Sequence, residues 1–119
     1  MVYFTLLKQR RLMDFSAIKK DIKSLSFDCL RTDGDNLFEG VVVKKELEKL
    51  NAQLKSFLGE PVYPSRNRLT HEMQETVDGF GGVKPGQTLY YKDSGNNRIL
   101  AMLWPWQDGE RVTVKIIQK

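Results

Sequence analysis

The chain is poor in the residues that most catalytic and metal chemistry requires. It has one histidine, His71, and one cysteine, Cys29. A single thiol cannot close an internal disulfide, so no disulfide framework supports the fold. One imidazole also leaves a zinc site short of ligands, since such sites draw on several His and Cys side chains at fixed spacing. His71 opens the run His71-Glu72-Met73-Gln74-Glu75, and Glu75 stands where a metalloprotease helix carries its second histidine. Nucleophilic triads meet the same shortage, because any Ser, or Cys29, would depend on His71 as its only imidazole base. His71 therefore reads as an exposed residue at a helix N-terminus. Cys29, beside Leu30 in a run of strand character, reads as a small buried apolar side chain. No catalytic residue, metal or cofactor is expected.

Long apolar runs are missing too. Nothing approaches the roughly 18 apolar residues that cross a bilayer. Val2 to Leu7 is apolar, but Lys8, Arg10 and Arg11 follow it, which reverses the order of a secretory signal. A cytoplasmic chain without a membrane segment is expected. Repeats and low-complexity tracts are absent, and 119 residues fall in the usual range of one domain, about 100–200 residues. A single domain over 1–119 follows.

What is present is a sequence of well-marked elements. Phe15, Ile18, Ile22 and Leu25 recur at helical spacing, with Asp14 or Ser16 available as an N-cap. Phe27–Arg31 and Leu37–Val43 have strand character and flank a loop containing Asp33-Gly34. Leu47, Leu50, Leu54, Phe57 and Leu58 form the clearest apolar helical stripe, which Gly59 and Pro61 end. An extended connector over Glu60–Arg68 leads to a third helix, capped by Thr70, with Met73, Val77 and Phe80 facing inward and Gly79 as its stop. Val2–Leu7 fits either a short strand or a loose arm.

The last third is all strand. Thr88–Lys92, Arg98–Trp104 and Arg111–Ile117 form a meander, divided by Ser94-Gly95-Asn96-Asn97 and Gln107-Asp108-Gly109. Val112, Val114 and Ile116 alternate with Arg111, Thr113 and Lys115, the pattern of a strand with one wet face. The middle strand breaks that pattern, because Ile99 to Trp104 is apolar throughout and needs cover on both faces. The fold class that results is α+β: a mostly antiparallel sheet of four to six strands, about three helices packed mainly on one face, and a C-terminal three-stranded meander.

Two clusters invite function. One is aromatic: Tyr90, Tyr91, Trp104 and Trp106. Neighbours in a strand point to opposite faces, so Tyr90 and Tyr91 cannot share one. These four are the interface or ligand-binding candidates. The other is basic: Arg10, Arg11, Lys19, Lys20 and Lys23, with Arg66 and Arg68. Residues 1–26 hold six Lys/Arg against Asp14 and Asp21, and so equal the whole net charge of +4. Such clusters attract polyanions without reading sequence, but no nucleic-acid-binding motif accompanies them. The glycine-rich run from Gly79 to Gly86 has the wrong order for a phosphate loop, since it leads from a helix into a strand.

The best reading is a small non-catalytic interaction or ligand-binding module with a protein or small-molecule partner. With the helices on one face, the second apolar face of the middle strand would be left for a second copy, as a homodimer through the sheet; the rival is a monomer in which the first helix or the N-terminal arm crosses to cover it. The alternative is a basic accessory domain binding nucleic acid or another polyanion.

Overall fold

The computed structural model describes residues 15–64, 69–79, 81–93 and 97–119. The Val2–Leu7 segment, Asp14, Arg10, Arg11, Arg66, Arg68, Phe80 and Ser94 to Asn96 lie outside them. In chain order the elements are α1 (Phe15–Ile22), β1 (Phe27–Asp33), β2 (Leu37–Val43), a 3-10 turn (Lys44–Glu46), α2 (Leu47–Leu58), α3 (His71–Asp78), β3 (Thr88–Asp93), β4 (Arg98–Pro105) and β5 (Arg111–Gln118). The five strands form one antiparallel sheet in the order β1-β2-β5-β4-β3. The chain is thus α+β, with three α-helices, a five-stranded sheet and a C-terminal meander β3-β4-β5 among the described residues.

Alternation along the strands decides what each face carries. Phe38 and Val42 of β2, Val112, Val114 and Ile116 of β5, Ile99, Ala101 and Leu103 of β4 and Tyr90 of β3 point to one side. There they meet Phe15, Ile18 and Ile22 of α1 and Leu50, Leu54 and Leu58 of α2, the apolar stripes foreseen from helical spacing. On the other side Leu89, Tyr91, Leu100, Met102 and Ile117 form a second buried cluster with Val77 of α3. Val62, Tyr63, Leu69, Met73 and Val83 pack around it.

Two of the three helices therefore share a face, and α3 with the proline-containing connector covers the other. The second apolar face of β4, expected to stand open, is not open in the structure. The chain closes the face itself, with Leu100 at 0% and Met102 at 1% exposure. The connector reaches β3 as a short edge pairing, in which Val62 N donates to the Leu89 carbonyl and Leu89 N donates to Tyr63, both at 2.8 Å. That pairing covers the outer edge of β3 and leads the chain across to α3. Thr70 caps α3 as expected, its hydroxyl accepting from Met73 N at 3.1 Å.

At the opposite edge, β1 pairs only with β2 among the described residues. Two register shifts interrupt this pairing, between Phe27 and Cys29 and between Leu30 and Thr32. Irregularities of this kind are common on edge strands, where they discourage pairing with other chains. Cys29 is exposed here, not buried as the sequence suggested, because the edge position gives it a strand neighbour on one side only. Gly40 of β2 serves close packing. A Cβ at this position would stand 2.7 Å from Phe27 Cε2 and 3.2 Å from the Cys29 carbonyl oxygen, so the missing side chain lets the Phe27 ring lie down on the sheet.

Candidate functional site

α3 and the connector cover the β3-β4 side of the second face, where their cluster extends to Ile117 of β5 and Leu37 of β2. Towards β1 and the β4-β5 turn that face is polar and aromatic. Its rows follow from register: Val41 pairs with Thr113 and Thr113 with Trp104, while Glu39 pairs with Lys115. Trp104 is half-buried against the second cluster, and the Lys115 ammonium lies 5.0 Å from its ring centroid. Beyond Pro105 the chain turns, and Trp106 lays its ring across the same end of the sheet. Its indole N–H donates to the Thr113 hydroxyl at 2.8 Å, and its backbone N–H donates to the Arg111 carbonyl.

Two guanidinium groups sit by the Trp106 ring, Arg31 at 5.9 Å and Arg111 at 5.4 Å from its centroid. Both distances suit cation–π attraction. Each cation also has a carboxylate. Arg31 pairs with Glu39 at 3.2 Å, and Arg111 pairs with Asp28 at 3.0 Å and Asp108 at 2.7 Å. The hydrogen bond to Asp28, then that to Asp108, raises the Arg111 pKa further above its ordinary value. Asp108 is held below the usual carboxylate range, first by the backbone N–H of Glu110 and with help from Arg111. The same carboxylate organises the β4-β5 turn by accepting from the Glu110 and Arg111 amides. Gly109 completes this turn at φ +72°, a conformation that side chains rarely adopt.

The four aromatic candidates thus divide. Tyr90 and Tyr91 point to opposite faces, as alternation requires, and the chain buries both, at 1% and 6% exposure. The Tyr90 hydroxyl donates to Asn51 Oδ1 at 2.6 Å; burial, and then the charge of Glu60, pushes its pKa up. Tyr91 finds no partner for its hydroxyl among the described residues. Both tyrosines are core residues. Trp104 and Trp106 remain together at the surface, joined there by Arg31, Arg111 and Lys115, which the sequence reading had not selected. A partial signal existed for two of these, since Arg111 and Lys115 alternate with valines on the wet face of β5. Arg31 and Asp28 carried none, because β1 comes within side-chain reach of β5 only through the pairing of both with β2.

Of the three basic candidates among the described residues, Lys19 and Lys23 are committed within the chain. Lys19 and Lys23 both bind Asp33, at 2.9 and 2.6 Å, and Lys19 also donates to the Gly34 carbonyl. This arrangement ties α1 to the end of β1. The hydrogen bonds from Lys23 and Lys19 lower the Asp33 pKa. A carboxylate depressed by folding stabilises above its unfolded pKa, and that contribution disappears as pH falls through the folded value. Asp33→Asn should therefore flatten the loss of stability below about pH 4. Urea midpoints measured at neutral and acid pH check this, and equal acid sensitivity in both proteins would contradict it. Lys20 is exposed.

His71 is exposed at the start of α3, with Glu75 3.6 Å away. No group of three or more His, Cys, Asp or Glu among the described residues is arranged to hold a metal ion. No helix among them is long and apolar enough to cross a membrane. Compared with known proteins, the chain matches no family model, and no curated protein or solved structure shows significant similarity to it.

Proposed function

We propose that this chain is a non-catalytic interaction module that docks a protein partner at the open end of its sheet, around Trp104 and Trp106. The observation that carries this reading is the Trp106 ring, half-buried at the surface and flanked by the Arg31 and Arg111 guanidiniums. Tryptophan and arginine are the side chains most enriched among residues that dominate binding energy. Here the salt bridges and the bond to Thr113 hold them in place before any partner arrives, which lowers the ordering cost of association. The carboxylates that pair the cations also argue against a polyanion as partner, since Glu39, Asp28 and Asp108 cancel the local positive charge.

A random-peptide display library panned against the whole chain tests this. Enriched peptides should lose about thirtyfold in affinity or more when Trp106 becomes Ala, the effect of an anchor worth about 2 kcal/mol. Trp106→Ala should keep its far-UV spectrum. Peptides that bind both proteins equally would overturn the reading.

A further inference from the structure

Beside Trp106, on the side of α2, lies an open groove of about 240 Å³. Its walls are Leu47, Pro105, Val112 and the Trp106 side chain, and Lys44 and Arg111 stand in its lining. Backbone bonds bring these residues together. Lys44 N donates to the Glu110 carbonyl at 2.8 Å, which holds the 3-10 turn before α2 against the β4-β5 turn. The groove thus joins two parts of the chain that are distant in sequence, Lys44 and Leu47 on one side and Pro105 to Val112 on the other.

Size narrows what it can hold. An apolar cavity of about 150 Å³ accommodates benzene, so this groove has room for one aromatic ring or branched aliphatic group. It is smaller than the roughly 300–1,000 Å³ of sites that enclose a free small molecule. One inserted side chain of a larger partner fits these bounds. Charge narrows it further. Arg111 is already neutralised by Asp28 and Asp108. Lys44 is exposed and forms no ion pair among the described residues. Glu110 meets it through the backbone alone.

We infer that the groove receives one aromatic or branched aliphatic side chain of a partner protein, with an acidic residue next to it in the partner's sequence placed on the Lys44 ammonium. This rests on the docking reading above and names the chemistry of the partner. The apolar side chain supplies most of the affinity through buried area, and the carboxylate supplies selectivity.

The test titrates the ¹⁵N-labelled chain with two blocked dipeptides, acetyl-Phe-Glu-amide and acetyl-Phe-Gln-amide. Both should shift the Trp106 indole N–H and the amides of Gly109 and Val112. At low salt the acidic dipeptide should bind about three- to fivefold more tightly, the scale of an exposed ion pair. Lys44→Gln should remove that preference, so that the two dipeptides bind the variant equally. Equal affinities in the native chain, or a preference that survives Lys44→Gln, would overturn the carboxylate assignment and leave docking at the groove standing. Shifts centred elsewhere, or none at millimolar dipeptide, would overturn both.

Discussion

Leu100→Asp is expected to abolish folding. Leu100 is fully buried on the second face of β4, among Val77, Leu89, Tyr91, Met102 and Ile117. Removing a buried leucine side chain costs about 2–5 kcal/mol by loss of transfer energy and by the cavity left behind. An unpaired carboxylate in its place adds several kcal/mol more, whether it stays charged or takes up a proton. Domains have only about 5–15 kcal/mol in total. Leu100→Ala should accordingly remain folded but lose about 2–5 kcal/mol. Urea titrations followed by far-UV circular dichroism distinguish the outcomes. The experiment also separates two pictures of the sheet. Were this face open to water or to a second copy, Leu100→Asp would fold normally and alter only association.

The other large effect is expected on the first face. Phe38, the second residue of β2, is fully buried, and its ring meets Phe27 edge to face, with centroids 5.6 Å apart. Phe38→Ala should cost about 3–5 kcal/mol, part of it from the aromatic pair, which adds about 0.5–1.5 kcal/mol beyond area. Phe27→Ala should cost less, since Phe27 is only partly buried and lies on the edge strand. Comparison of the two denaturation midpoints at constant slope checks the order. A larger effect at Phe27 would mean that the core is centred nearer to β1 than the packing shows.

The elements themselves were legible because local periodicity and stop signals agree with the tertiary fold. The stripe Leu50, Leu54, Leu58 faces the sheet as its spacing implies, and Thr70 caps α3 by the bond that its position predicts. The continuous apolar run in β4 correctly announced a strand covered on both faces. Its cover was not legible. Nothing in the spacing of Met73 and Val77 tells which side of a sheet a helix will take; the path of the connector along β3 decides that. Burial of Tyr90 and Tyr91 was hidden for the same reason, since a tyrosine suits a core as well as a surface once each face has a helix above it.

The site was half legible. Trp104 and Trp106 stood out by type and by their position around Pro105. Their charged neighbours come from β1 and β5, joined by ion pairs such as Arg111 to Asp28, 83 residues apart in sequence. The basic cluster shows the converse: Lys19 and Lys23 are prominent in the sequence, yet Asp33 takes both. Charge counted along a chain overstates free charge when strand pairing delivers the counter-ion.

Docking at the Trp106 end is tested most directly by mapping amide and indole shifts in the ¹⁵N-labelled chain as one display-selected peptide is added. The perturbed residues should be Arg31, Lys44, Leu47, Gly109, Arg111, Val112 and the Trp106 indole, at the open end of the sheet. Perturbation centred on Lys19 and Lys20 of α1 and on Lys23 just after it, or on the exposed face of α3, would contradict the account.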